Sequence, residues 1–261
     1  AWDWGLFVGG AVPSLVFGVA FGNLLLGVPF YLDDLLRAFY TGSFFELLNP
    51  FALLAGIVSF SLLTMHGGIW LQMRTTGDLS GRVKAYIKWT GVTAMAAFAL
   101  AGVWLIFAVD GYTIVSQPAV DALPNPLAKT VEIGSGAWLA NYRDCPLTIL
   151  FPVLGFAGVI MTILLSRSGR PGWGFVSSSL AITGVIMTAG VSMFPFIMPS
   201  STNPGSSLTI WDAPSSHLTL TVMFWAVVVF LPIVIGYTLW NYRKMWGKLS
   251  VEEMQERFSA Y

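Results

Sequence analysis

Charged residues are scarce in this sequence. Lys, Arg, Asp and Glu make up 10% of its 261 residues, where a soluble domain carries roughly 25%. A water-facing globule needs a polar skin, and this chain lacks the material for one. Its 13 Lys+Arg balance 13 Asp+Glu, so the basic excess that marks nucleic-acid binding is missing. One cysteine, Cys145, excludes an internal disulfide framework and a thiolate metal cluster. Disorder is excluded by what is abundant, 56% hydrophobic residues, 15% aromatics and a mean hydropathy of +0.73. What remains is an integral membrane protein of several spans.

A helix needs about 20 apolar residues to cross a bilayer core. Six long intervals lack Asp, Glu, Lys and Arg: Trp4–Leu32, Leu47–Met73, Trp89–Val109, Cys145–Ser166, Pro171–Trp211 and Ala213–Tyr242. The last two exceed a membrane's need and must include loop, which Pro195, Pro199, Asn203, Pro204 and Pro214 mark. The runs are apolar on all faces, unlike the short alternating segments of a barrel. The expected fold is therefore an all-α, polytopic transmembrane helix bundle. It forms one domain over 1–261, with spans A to F within 4–32, 47–73, 89–109, 145–166, 171–198 and 214–242. Asn49-Pro50 fits an N-cap with Pro at the first helical position of span B. Asp110-Gly111 fits the stop of span C. Pro13 is expected to kink span A, and Pro152 sits early in span D, where it is tolerated.

Lys and Arg alternate between the loops. Ten of the 13, namely Arg74, Arg82, Lys84, Lys88, Arg167, Arg170, Arg243, Lys244, Lys248 and Arg257, fall on one side. The other side holds Arg37, Lys129 and Arg143. The positive-inside rule puts the ten in the cytoplasm, with Ala1 and Tyr261. Leu35–Phe45 reads either as a short interfacial amphipathic segment or as an ordinary ordered loop. The chain opens at Ala1 without Met or a basic leader, and span A is too long for a signal peptide. A longer protein with further spans before Ala1 is expected.

No span carries an acid or base near its middle, the usual mark of an ion or proton path. His66, in Thr64-Met65-His66-Gly67-Gly68, reads as a buried hydrogen-bonding residue, and the glycines beside it suggest close helix approach. His217 opens span F at the opposite end, so the two cannot share one haem iron. His217 with Met193 or Met198 would be a His/Met haem pair, but ten methionines make such proximity cheap. Gly5-x-x-x-Gly9 and Gly18-x-x-x-Gly22 have packing spacing. Ser177, Ser178, Ser179, Thr183 and Thr188 are expected to bond across helices or to their own carbonyls. Asp212 is expected to cap span F or the turn before it. Trp2, Trp4, Trp70, Trp89, Trp225, Trp240 and Trp246 fit interfacial belts. No catalytic, cofactor-binding or metal-ligating residue is assigned.

Four ordered blocks carry a family resemblance. They are Phe21-Gly22-Asn23-Leu24-Leu25-Leu26-Gly27-Val28-Pro29-Phe30 running to Tyr40-Thr41-Gly42 and Leu48-Asn49-Pro50-Phe51; Leu53-Leu54-Ala55-Gly56 leading to His66-Gly67-Gly68 and Leu71-Gln72-Met73-Arg74-Thr75; Phe194-Pro195-Phe196-Ile197-Met198-Pro199-Ser200-Ser201; and Leu208-Thr209-Ile210-Trp211-Asp212-Ala213 with Ser215-Ser216 and Leu218-Thr219-Leu220. Together they resemble subunit II of the cytochrome bd quinol oxidases, over its C-terminal two-thirds. The resemblance implies a non-haem subunit of a respiratory oxidase in a prokaryotic inner membrane. Haems b558, b595 and d would sit in partner subunit I, and acidic proton-path residues would precede Ala1. Implied partners are subunit I, a small accessory membrane subunit, quinol or quinone, and membrane lipid, with no nucleic acid. The competing reading is a transporter with a midplane site. Spans A–C and D–F have opposite orientation, as an inverted repeat requires, but their sequences do not match.

Overall fold

The computed structural model describes residues 2–118, 124–244 and 247. Ala1, Trp246, Lys248, Arg257 and Tyr261 lie outside the described residues. Each of the six apolar intervals holds one long helix: α1 (Trp2–Leu26), α2 (Pro50–Arg74), α3 (Gly77–Ala108), α5 (Leu150–Arg167), α6 (Pro171–Met193) and α7 (His217–Lys244). A short α4 (Ala140–Asp144) and a 3-10 turn over Pro146–Ile149 precede α5. At one end of the bundle the connections are tight, Thr75-Thr76 between α2 and α3 and Ser168–Arg170 between α5 and α6. The other end carries the long loops.

Local chemistry explains most helix boundaries. Asn49 Oδ1 accepts the Ala52 N–H at 2.8 Å and Pro50 opens α2, as the Asn-Pro pair predicts. Pro152 lies in the first turn of α5, where its missing N–H would have no helical partner. α1 runs continuously through Pro13. The helix of span C extends well ahead of its apolar interval. α3 begins at Gly77 and spans 32 residues, roughly 48 Å at 1.5 Å per residue, well beyond a ~30 Å hydrocarbon core. Its first three turns carry Asp78, Arg82, Lys84 and Lys88 and project beyond the membrane. Exposed Trp89, with Lys88 Nζ 4.8 Å above its ring, marks the border.

α2 is the hub. It packs on α1, α3 and α6, while α5 pairs with α6 and touches α3. Val58, Leu62, Met65 and Ile69 of α2 meet Ile87 and Ala94 of α3, Val159 of α5 and Ala181 of α6. In lipid the helices gain nothing from hiding apolar area, so close approach at small residues has to hold them. A Cβ added to Gly184 would sit 2.5 Å from the Gly155 nitrogen, and one on Gly158 2.8 Å from Ala181. No residue of α7 is buried; it meets the bundle where the Tyr242 ring packs edge to face on Trp70 of α2, centroids 5.6 Å apart.

Over the helical bundle, the loop-rich end carries strands that no short apolar run announced. β1 (Phe30–Leu32) pairs antiparallel with β2 (Ala38–Tyr40), β3 (Asp110–Ser116) with β4 (Thr130–Ser135), and β5 (Phe196–Met198) with β6 (Leu208–Thr209). So Leu35–Phe45 is ordered loop and hairpin rather than helix, with a 3-10 turn at Phe45–Leu48. α3 stops at Ala108 and is capped by Val109, so Asp110-Gly111 follows the helix end rather than forming it, and both residues belong to β3. A Cβ on Gly111 would come within 2.5 Å of the Trp138 backbone nitrogen. These loops enclose a second core of Leu25, Phe51, Tyr112, Trp138, Met193 and Phe196.

Candidate functional site

Within the membrane-spanning part, polar side chains form a seam between α2, α5 and α6. His66 Nδ1 lies 2.7 Å from Ser178 Oγ, and Ser178 Oγ donates to the Phe175 carbonyl at 2.8 Å. That pattern assigns the His66 Nδ1–H as donor to the serine. The imidazole rests against Phe175, ring centroids 4.5 Å apart. Nearly two turns further along α2, Ser166 Oγ donates to Gln72 Oε1 at 2.7 Å and Gln72 Nε2 donates back to the Ser166 carbonyl at 2.9 Å, both residues buried. Ser177 Oγ donates across to the Gly158 carbonyl at 2.9 Å, while Ser179, Thr183 and Thr188 bond back along α6. Of the glycines beside His66, Gly68 faces Ile87 at 3.0 Å from an added Cβ, whereas Gly67 faces open space.

His66 and His217 do not converge on a single haem iron. His217 is exposed at the first position of α7, at the loop-rich end. His66 lies 16 residues along α2 from that end, roughly 24 Å away by helical rise. Met193 is buried under Trp138 and Phe196 in the loop-built core. No group of three His, Cys, Asp or Glu that could hold a metal ion occurs among the described residues. A small cavity between α2, α3, α5 and α6, bounded by Leu62, Met95, Phe98, Phe156 and Val185, is wholly apolar and offers no donor to a quinone carbonyl.

The loop-rich cap is held by polar groups far apart in sequence. Lys129 Nζ pairs with Asp212 Oδ2 at 2.6 Å and donates to the Pro126 carbonyl at 2.7 Å; the two charged side chains are 2% and 12% exposed. Asp212 Oδ1 accepts the Thr209 N–H at 2.8 Å. Asp212 thus serves the turn before α7, as one of its two expected roles had it. The α7 cap is instead Ser216, whose Oγ accepts the Thr219 N–H at 3.3 Å. The ion pair itself lacks any local signal, because its members stand 83 residues apart. Asn23 Nδ2 donates to the Leu47 carbonyl at 2.7 Å, and Asn49 Nδ2 donates to Asn23 Oδ1 at 2.9 Å, clasping α1 to the start of α2. Trp138 Nε1 donates to the Leu25 carbonyl at the end of α1, 3.0 Å. Asn141 and Tyr142 of α4 donate to carbonyls in the last two turns of α6 and just after it, at 2.6 to 2.8 Å.

Tyr112 presses on Gly27, whose φ of +87° and lack of a Cβ both suit the contact. Burial pushes the Tyr112 phenol from its ordinary 10 up to about 12. The folded value is the higher one, so the native protein keeps this proton while the unfolded chain loses it. Stability is full below pH 10 and falls as pH rises toward 12. Tyr112→Phe should flatten that alkaline loss, and should remove the latest-titrating tyrosinate absorbance. An unchanged alkaline profile would contradict the burial.

The comparisons with known proteins cover nearly the whole chain. The family described as "Cytochrome bd terminal oxidase subunit II" matches residues 1–245. Cytochrome bd-I ubiquinol oxidase subunit 2 of Escherichia coli is 50% identical over 254 residues, 97% of this chain and 67% of that protein. A probable cytochrome oxidase subunit 2 of Haemophilus influenzae is 50% identical over 95% of this chain and 65% of its own length. Cytochrome bd ubiquinol oxidase subunit 2 of Bacillus subtilis is 28% identical over 97% and 65%. This chain therefore spans about two thirds of the length of these relatives. In the solved bd oxidase of Geobacillus thermodenitrificans, one chain shares the fold at a TM-score of 0.59 and 13% identity, covering 90% of this chain and 62% of that one. With its helices, its ordered sequence blocks and half of its residues shared with two such subunits, the chain belongs to the cytochrome bd terminal oxidase subunit II family.

Proposed function

We propose that this chain serves, as one transmembrane helical domain, as the non-haem subunit II of a membrane quinol:oxygen oxidoreductase. It pairs with and stabilises a haem-bearing subunit I in a prokaryotic inner membrane. Quinol supplies the electrons and oxygen is reduced to water. The observation that carries the reading is the family match along residues 1–245. The arrangement of His66 and His217 supports placing haems b558, b595 and d in the partner. The names of the Escherichia coli and Bacillus subtilis relatives support the quinol class.

Purification decides it. Affinity-tagged full-length subunit, taken from native membranes in mild detergent, should carry a haem-bearing partner. His66→Ala and His217→Ala should leave every haem absorbance band in the assembled complex. Recovery alone or as a homo-oligomer without haem would restore the transporter reading. Loss of one band from an intact complex would place a haem ligand here.

The short-loop end faces the cytoplasm in this proposal, supported by Arg74, Arg82, Lys84, Lys88, Arg167, Arg170, Arg243 and Lys244 around it. Cys145, exposed at the loop-rich end, should react with a membrane-impermeant maleimide in intact cells. In a Cys145→Ser background, Arg82→Cys should react only after permeabilisation. The reverse pattern would invert the topology. Lys129 is a poor labelling site because its side chain is buried.

A further inference from the structure

Three cations line the short-loop end of the furrow between α3 and α5, and the register of the two helices places them. A Cβ on Gly91 of α3 would stand 2.9 Å from Ile163 of α5. Seven residues further along α3, the Phe98 ring lies against Phe156, centroids 5.1 Å apart. Phe156 is seven residues back along α5, so the helices are antiparallel and in step. Carried toward the short-loop end, the same register sets Lys88 level with Arg167 to within a residue. Lys84 lies one turn beyond.

Helical periodicity fixes their side of the furrow. Lys84 and Lys88 share the face of Gly91 and Met95, and Arg167 shares that of Ile163 and Phe156. α2 meets α3 from another side, with Gly68 against Val83 and Ile87, and α6 meets α5 at Gly158, against Ala181. The cationic edge therefore opens away from the bundle. Lys84 and Lys88 are half-buried and Arg167 is exposed.

Depth is set by charge. The uncharged stretch of α3 between Lys88 and Asp110 is about 31 Å long by helical rise, the thickness of a hydrocarbon core. Lys88 thus stands at the border of that core, and Trp89 beside it is exposed, as aromatic residues at headgroup level are. α5 carries no charge before its last residue, Arg167.

No carboxylate of the described residues pairs with these cations. The ion pairs there are Arg37–Asp33 and Lys129–Asp212, both at the loop-rich end. The short-loop end holds Asp3 on α1 and Asp78, six residues ahead of Lys84. Toward the membrane centre the furrow is apolar. Val92 and Ile160 flank it, 39% and 46% exposed, and Met95, Phe98 and Phe156 lead to the small apolar cavity. Lys88 to Phe98 is roughly 15 Å by helical rise, half of a ~30 Å core and so one leaflet. Basic pockets between spanning helices at this level recognise anionic headgroups.

We infer that the α3–α5 furrow is an anionic phospholipid site. Lys84, Lys88 and Arg167 hold the phosphate of the headgroup, and an acyl chain lies along Val92, Met95 and Ile160. The inference requires that the chain spans a membrane and does not depend on the oxidase reading.

The test uses the purified full-length complex, otherwise free of reactive cysteine, with Cys145→Ser and a bimane fluorophore on Ile160→Cys. It is reconstituted in phosphatidylcholine containing either phosphatidylglycerol or phosphatidylcholine brominated at mid-chain. Quenching against mole fraction gives the ratio of the two association constants at this position. The anionic lipid should bind about fivefold more tightly or better, as even one near-surface cation would give. Lys88→Gln with Arg167→Gln should bring the ratio near one. Lys88→Arg with Arg167→Lys should keep it, and Arg143→Gln at the loop-rich end should leave it unchanged. Equal quenching by both lipids in the parent overturns the site, as does a preference that survives loss of both charges. Weak quenching by either lipid also overturns it, because protein then fills the furrow. If the neutral pair fails to assemble, each single neutral variant decides, with the ratio expected to fall about twofold or more.

Discussion

Replacing Lys129 by Ala is expected to destabilise the loop-rich cap by roughly 3–5 kcal/mol, because it strands a carboxylate in a nearly dry site. Asp212 would keep the Thr209 N–H at 2.8 Å but lose its ammonium partner at 2.6 Å. The charge, rather than the lost contact, sets the size of the effect. A neutral replacement tests this. Lys129→Met with Asp212→Asn keeps an acceptor for Thr209 and leaves no net charge behind, so it should recover most of the loss. Thermal unfolding of the detergent-solubilised protein, followed by tryptophan fluorescence, gives the ranking. The parent midpoint should move little between low and high salt, since buried pairs are weakly screened. A single Lys129→Ala variant as stable as the parent would mean that water reaches the pair.

Leucine at Gly18 or Gly22 should separate α1 from α2, at an overpacking cost of at least about 1–3 kcal/mol. A Cβ on Gly18 would run into the Ala55 carbonyl, and one on Gly22 would stand 2.6 Å from Ala52 Cα. Backbone atoms of a neighbouring helix cannot rotate away as a side chain can. The shift would also pull Asn23 from the Leu47 carbonyl and from Asn49. Gly5, Gly9 and Gly10 of the same helix face open space. Gly5→Leu and Gly9→Leu should therefore leave this chain's own stability unchanged. Resistance to denaturing detergent, read by circular dichroism across the four variants, separates the groups. Equal losses at Gly5 and Gly18 would show that the spacing motif, rather than the α1–α2 contact, sets the cost.

These two pairs show what a sequence carries and what it hides. Both glycine motifs have the same four-residue spacing, yet only one lies against a neighbouring helix of this chain. Spacing places two glycines on one face; it does not say what that face meets. Asn49-Pro50 was legible because cap and helix start are adjacent in sequence. The Lys129–Asp212 pair was not, because 82 residues of chain intervene and neither neighbourhood signals the other. The strands of the cap were hidden for a related reason. Two- and three-residue strands are too short for alternation to show, and β3 and β4 pair through a long connection.

Composition and the uncharged runs by themselves determined that the chain crosses a membrane six times as helices. Lipid offers no hydrogen bonds to the backbone, so long apolar runs have one solution. The ordered blocks determined the family. Tertiary structure decided which glycines touch a helix, that His66 bonds Ser178, and that Asp212 binds Lys129 while Ser216 caps α7. It also decided that Leu35 and Phe45 stand outward in the segment joining α1 to α2. Those outcomes depend on distances between residues remote in sequence, and such distances are set by packing rather than by local propensity.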